Sequence, residues 1–457
     1  MLTQVVTDIA NFLRGVPFIV LLLGAGIYVT FRLGGIQFRA ARAGLHLLLH
    51  NNKSKAAGDV SGFGALATVM AGTIGTGNIA GVATAIAAGG PGAVLWMWVT
   101  ALFGMALKFA SCTLAHHYRE LSAAGEASGG PMYTLKNGLG MKWLGTLFAL
   151  FVALAALTTG GMVQSHSVVD GIAYVIPSAD NYKLELGIVI GILVAIVVLG
   201  GVKRIAHVAS IIVPFMALAY CAAALVILVL HASEVPKAFS TIFIAAFNPE
   251  AVGGAAIGVA IQYGVVRALF ASEAGLGTAA IGMAATKSNE PVEAGLIGML
   301  GPWIDTLTIC TLTALVIILA GGFGAGIPED LAGSSLSAYA FENGLQGLGT
   351  IAGTAGAWIV GLGLVFFAYS TMLSWGYYGV KSCEFLWGKK AALPFRLIFI
   401  TMIIFGALAE IKWVWDIADI SNVLMAIPNL ISILLLISVI KKLRDNYFSQ
   451  PGLQRPL

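Results

Sequence analysis

The run GTIGTGNIAGVATAIAAGGPGAVLWMWVTALFG, residues 72–104, decides how this chain is read. It is apolar enough for a membrane span, yet Gly72, Gly75 and Gly77 crowd into its first turns. Without Cβ atoms the backbone there can unwind, and unwound backbone leaves amide and carbonyl groups without helical partners. Lipid cannot satisfy such groups; a cavity, an ion or a ligand can. The rest of the chain agrees with a membrane setting. Its 457 residues are 58% hydrophobic and 10% charged, with 25 Lys+Arg against 21 Asp+Glu and a mean hydropathy of +0.91. A soluble globular chain carries about a quarter of its residues as charges. A soluble enzyme, a disordered regulator and a secreted disulfide scaffold are therefore excluded. Cys112, Cys221, Cys310 and Cys383 are scattered through apolar segments without metal-ligand spacing. The net charge of +4 carries no nucleic-acid signal, so no nucleic-acid partner is expected.

A spanning helix needs about 20 mostly apolar residues. That ruler predicts eleven spans, near residues 16–32, 60–87, 92–117, 143–176, 185–202, 206–231, 254–285, 294–321, 355–379, 394–411 and 417–440. The first is read as a span rather than a signal peptide, because its leading residues are not basic and no small-residue cleavage site follows. With the N-terminus outside, 19 Lys and Arg fall in cytoplasmic connections, among them Arg32, Arg39, Arg42, Lys53 and Lys55. Only Arg14, Lys183, Lys237 and Lys412 fall outside. This bias predicts an N-terminus outside and a cytoplasmic C-terminus.

An internal echo appears at an offset of 200 residues, where Gly75-Thr76-Gly77 in the second span is matched by Gly275-Leu276-Gly277 in the seventh. Five spans separate them, an odd number, so the second copy enters the membrane from the opposite side. The expected architecture is an all-α membrane protein of 11 transmembrane helices: a five-plus-five inverted repeat with two broken helices, preceded by one extra helix. Its parts are an extra helix and cytoplasmic connection (1–59), a first repeat (60–231), a second repeat (232–441) and a cytoplasmic tail (442–457). Small residues can also serve only to pack helices closely, but two clusters in corresponding positions favour breaks. A break offers N–H donors to a carboxylate and freed carbonyls to a cation or an ammonium. Thr73, Thr76 and Asn78 add side-chain oxygens and an amide beside it.

These residues carry a family resemblance. The opening run, GGPMYTLKNGLG (129–140), RALFASEAGLG (267–277), WIDTLTICTLTALVI (303–317), STMLSWGYYGVKSCEFLWG (370–388) and ADISNVLMAIPNL (418–430) together resemble the alanine or glycine:cation symporter family of prokaryotic carriers. The chain departs from that family's pattern at Ser272, Gly161 and Leu95. The resemblance implies a leucine-transporter-type fold and a co-transported sodium ion. Backbone carbonyls around Ala71 and Ile74 and the hydroxyls of Ser370 and Thr371 would hold the ion. It further implies an amino-acid site at Gly75, Thr76, Gly77, Asn78, Gln164, Phe270 and Trp375, the last two walling a small pocket. Consecutive hydroxyls opposite a glycine break suit a hard monovalent cation without a fixed charge.

Lys108, Asp170, Arg267, Glu273 and Asp305 lie within apolar spans, where each charge costs about 2.5–3.5 kcal/mol and calls for a partner. Arg267, Glu273 and Asp305 are expected to form a buried ion-pair cluster latching the seventh span, or a cytoplasmic gate. His116, His117, Trp96, Trp98 and Trp413 are read as packing or interfacial residues. The expectation is sodium-coupled symport of alanine or glycine across the cytoplasmic membrane by alternating access, with no enzyme activity and no organic cofactor. A proton-coupled carrier and a cation channel are the alternatives.

Overall fold

The computed structural model describes residues 2–50, 58–122, 126–248, 257–321, 323, 331, 333–409 and 411–450. Lys53, Lys55, the start of the seventh predicted span (254–256) and the end of the tail (451–457) lie outside them.

Helices follow the apolar segments. Among the described residues nine helices are long and apolar enough to cross a membrane: Gln4–Arg32, Ala93–His117, Lys142–Val175, Pro177–Val198, Gly201–Leu230, Pro291–Leu319, Thr350–Trp387, Lys389–Leu408 and Trp413–Leu435. The pair Gly62–Thr73 and Thr76–Gly89, bent by 57°, makes a tenth. These ten overlay ten of the predicted spans. The seventh is found only as two short pieces, Ile257–Ser272 and Thr278–Ala284, parted by five residues. Helix begins at Leu2, well before residue 16, because the Leu2–Leu13 stretch is amphipathic and docks on the last long helix. Two shorter helices not foreseen, Val235–Phe247 and Ser334–Gln346, cover connections between spans.

Packing sorts the helices into inner and outer ones. Gly62–Thr73, with every residue but Phe63 buried, and the core face of Thr350–Trp387 lie at the centre. Gly201–Leu230 and Pro177–Val198 turn long apolar faces outward, with Val229, Leu218 and Ile192 exposed. Such a surface is unfavourable in water and matched to acyl chains. Small residues set the inner distances: a Cβ on Gly406 would sit 2.4 Å from Met162 Cα, and one on Gly160 would overlap Trp375.

Candidate transport site

The first break is built from glycine and asparagine. Helix Gly62–Thr73 stops where Ile74 turns extended (φ −75°, ψ 95°), Gly75 follows at φ −143°, ψ −155°, and one 3-10 turn, Thr76–Asn78, leads into Ala80–Gly89. Gly75 N–H donates to Asn78 Oδ1 at 2.9 Å, which withdraws it from Ala71, its helical acceptor four residues back. Asn78 N–H donates to Gly75 O at 3.2 Å, so the Ile74 carbonyl is released as well. Two bare carbonyls therefore face inward from one turn.

The middle of Thr350–Trp387 lies against them. Thr371 Oγ1 is 3.0 Å from Ala71 O, 3.4 Å from Ile74 O and 2.9 Å from Phe367 O. Ser370 Oγ is 3.4 Å from Ala71 O and 2.9 Å from Phe367 O. All five residues are essentially buried. Five oxygens with only two hydroxyl protons among them leave a surplus of lone pairs converging on one place, an arrangement whose chemistry suits a hard cation. Oxygens about 2.4 Å from an ion of calcium's size have octahedral edges of about 3.4 Å. Sodium is of that size, and the spacings here are of that order. Phe367 O, three and four residues back in the same helix, is also the ordinary acceptor of such hydroxyls, so its place in the cluster follows from local back-bonding.

On the other side of the break, Thr76 N–H points to Gln164 Oε1 at 3.4 Å, while Gln164 Nε2 donates to Thr159 O at 3.1 Å. Gln164 is aimed there by a π-helical stretch, Ala156–Met162, whose wider turn lets a side chain reach a carbonyl five residues back. Thr76 Oγ1 is buried with no hydrogen-bond partner among the described residues. That orphan is the kind of group a ligand completes. Thr73 instead bonds its own helix at Val69 O, 2.8 Å away. Gly77 packs so closely on Ala271 and Phe270 that a Cβ would come within 2.9 Å of Ala271 Cα.

The aromatic wall differs from expectation. Phe270 packs on Trp415 at a tilt of 45°, centroids 4.7 Å apart, in a small cluster with Met162, Val163, Val414 and Ala418. Trp375 belongs to the main core, against Gly160 and Tyr378. The two rings do not form one wall, because they lie in different packing clusters.

The second break falls at residues 273–277, as far along the chain from the first as the glycine echo. Glu273 (φ +52°), Gly275 (φ +91°) and Gly277 (φ +89°) are left-handed, which favours glycine at the latter two. Side chains from other helices meet this break as well, although Glu273 Oε1 is buried with no hydrogen-bond partner among the described residues. Asn429 Nδ2 donates to Gly275 O at 2.8 Å, Ser111 Oγ fixes Asn429 Oδ1 at 3.0 Å, and Thr278 Oγ1 donates to Glu273 Oε2 at 2.7 Å. Ser272 Oγ accepts from Ala274 N–H at 3.3 Å, so that departure from the family pattern caps the break.

The expected cluster of Arg267, Glu273 and Asp305 is not formed. Arg267 Nη2 pairs with Asp419 Oδ2 at 2.9 Å and its guanidinium lies 4.6 Å over Trp415. Arg14 joins Asp419 at 3.0 Å and Asp416 at 3.6 Å. Asp305 accepts from Asn78 Nδ2 and from Thr306 Oγ1. Lys108, 3.5 Å from Thr73 Oγ1, lies in the field of both Glu273 and Asp305. The reason is distance along the helix: Arg267 sits more than one turn before the break, on the side where Arg14 and the start of the last long helix meet. In the orientation expected from charge this is the outer end, not a cytoplasmic one. Asp416 and Asp419, one turn apart in an apolar span, were the overlooked signal. Asp170 is remote from both breaks, near Ser334.

Known proteins resemble this chain over nearly its whole length. The sodium:alanine symporter family description matches residues 1–455. The sodium/alanine symporter AgcS of Methanococcus maripaludis is 46% identical over 445 residues, covering 96% of this chain and 95% of that protein. The amino-acid carrier protein AlsT of Bacillus subtilis is 35% identical over 434 residues, covering 94% and 89%. Among solved structures, MhsT in complex with L-phenylalanine superposes with a TM-score of 0.60 at 17% identity, covering 83% of this chain and 89% of that one. At that identity the likeness speaks for the fold, the leucine-transporter type, and for nothing finer.

Proposed function

This chain belongs to the sodium:alanine symporter family, and on that footing we propose that it couples sodium entry to uptake of a small neutral amino acid, alanine or glycine. It is an integral membrane transporter of amino acids and not an enzyme. The observation that carries the finer reading is the convergence of Ala71, Ile74 and Phe367 carbonyls with Ser370 and Thr371 hydroxyls. That site takes a cation without a fixed countercharge, so its filling depends on the ion and not on a proton.

The amino acid occupies the other face of the same turn. Its carboxylate meets the N–H groups and the orphan hydroxyl around Thr76 and Gly77, with Asn78 holding the turn in shape, and its ammonium meets Gln164. Phe270 and Met162, packed in one cluster beside it, would bound a side chain no larger than a methyl group. Ion and substrate thus order one unwound segment from two sides, and binding of each makes the other's site. The energetics suffice: one charge crossing ~100 mV supplies ~2.3 kcal/mol, and a tenfold gradient adds about 1.4 kcal/mol.

The proposal includes eleven spans in two inverted repeats after one extra helix, with the N-terminus outside. The pieces Ile257–Ser272 and Thr278–Ala284 then form one broken span, and the Arg14, Arg267, Asp416 and Asp419 network closes the outer end. The test is radiolabelled uptake into proteoliposomes with imposed gradients. Uptake of alanine or glycine that needs inward sodium and survives collapse of the pH gradient supports the reading. Uptake driven by a pH gradient with sodium replaced favours the proton-coupled alternative, for which buried Glu273 and Asp305 beside Lys108 are the candidate groups.

A further inference from the structure

Away from the breaks, a groove of about 430 Å³ opens between Ile36–Arg39 and Ala41–His50 on one side and Ala93–His117 and Leu300–Ile304 on the other. Leu45, Leu102, Leu300 and Leu307 make its walls apolar, and exposed Phe38 and Trp303 stand at its lips. At the head of the groove is Arg42, exposed, with Arg39 exposed three residues earlier. Among the described residues neither makes an ion pair. Residues 16–50 contain three arginines and no acidic side chain. Gln37, 2% exposed, also lines the groove, and its Oε1 has no hydrogen-bond partner among the described residues. The wall is held firmly: Gly44 approaches helix Pro291–Gly298 so closely that a Cβ would sit 2.4 Å from Leu296 O.

We propose that this groove binds one anionic phospholipid, with an acyl chain between Leu45, Leu102 and Leu300 and the phosphate on Arg42 and Arg39. The chemistry selects this occupant. The chain spans a bilayer, so an apolar groove on its flank is filled by lipid, and Arg42 lining its head, with Arg39 exposed nearby, neither in an ion pair among the described residues, favours a negatively charged headgroup. Trp303, an amphipathic ring, marks the boundary between chain and headgroup. The site has a bearing on transport. Leu300, Trp303 and Leu307 belong to the segment carrying Asp305, whose carboxylate holds Asn78 at the first break. A lipid seated in the groove braces that segment from behind.

The experiment is native mass spectrometry of the full chain, delipidated in detergent and titrated with phosphatidylglycerol or phosphatidylcholine. The expected result is one phosphatidylglycerol per chain, retained in preference to phosphatidylcholine. Each arginine near the surface contributes roughly fivefold, so Arg42→Gln weakens phosphatidylglycerol about fivefold and leaves phosphatidylcholine unchanged. Leu45→Trp, which fills the groove and keeps both arginines, weakens both lipids. Equal retention of the two lipids by the wild type, or phosphatidylglycerol binding unaffected by Arg42→Gln, overturns the proposal. So does a chain dimer that Leu45→Trp dissolves, which would give the groove to a second copy. Arg42 and Leu45 are both exposed, so the variants keep the wild-type elution profile, and Arg39→Gln is a second reading of the charge dependence.

Discussion

Thr371 Oγ1 lies 3.0 Å from the carbonyl oxygen of Ala71, two residues 300 apart in sequence meeting where one helix has let go of its own hydrogen bonds. If that hydroxyl is an ion ligand, Thr371→Val keeps the side-chain shape and removes one oxygen of five. Losing a buried hydrogen-bonding partner costs about 1–3 kcal/mol, so the sodium concentration for half-maximal uptake rises about fivefold or more. Ser370→Ala has the same sign. Uptake measured against sodium at saturating amino acid checks both; an unchanged sodium dependence in Thr371→Val sinks the assignment.

Gly75 adopts backbone angles open to any residue, so its glycine is there for space. A Cβ would come within 2.5 Å of Thr371 Oγ1 and 3.4 Å of Gln164 Oε1. Gly75→Ala therefore pushes on the ion site and the substrate site together. Sodium and amino-acid affinities should both fall by tenfold or more, read by isothermal titration, while the variant reaches the membrane normally. A change confined to one of them would show that the two do not meet at this turn.

Asp419 faces two arginines, whereas Arg267 has Asp419 as its ionic partner among the described residues. Asp419→Asn leaves Arg267 buried without a countercharge, which costs about 3–5 kcal/mol. In Arg267→Met, Asp419 keeps Arg14 and the loss is smaller. Thermal unfolding in detergent should rank Asp419→Asn below Arg267→Met, and both below the wild type. If the network opens with each cycle, Arg267→Met also changes turnover; unchanged turnover would leave it a purely structural tie.

Asn78 accepts from Gly75 N–H with one end of its amide and donates to Asp305 with the other. Asn78→Ala strands both partners in a dry interior and should abolish uptake. Asp305→Asn retains an acceptor oxygen for Asn78 and should keep measurable activity. Initial rates at saturating sodium and amino acid compare the two, and the opposite order would mean that the charge of Asp305, rather than its hydrogen bond, is what transport needs.

What could be read in advance was whatever the chain states locally. Glycines at 275 and 277 announce left-handed backbone that side-chain-bearing residues resist, those at 75 and 77 announce close approach, and both breaks fall there. Apolar length predicted eleven spans, and ten of them coincide with long helices or a bent pair. The seventh is two pieces, each too short to cross alone, and the amphipathic helix Leu2–Leu13 ahead of the first span was too polar to count. Partners brought together by folding were the harder part. Arg267 was assigned to Glu273 because they are neighbours in sequence, but its actual partner is 152 residues away. Phe367 contributes only a carbonyl, which every residue has. Trp375 and Phe270 look alike in composition and differ in which helix face they occupy.

One consequence follows from the two hydroxyl protons beside Ala71, Ile74 and Phe367. If these oxygens hold the proposed ion, then on its departure Ser370 and Thr371 swivel their hydrogens toward the vacated carbonyls, so the unloaded carrier heals its own wound instead of baring it to oil. A pore has no use for such self-sealing, since it never travels home without cargo. A shuttle must, and the ease of that return trip sets how quickly it can load again.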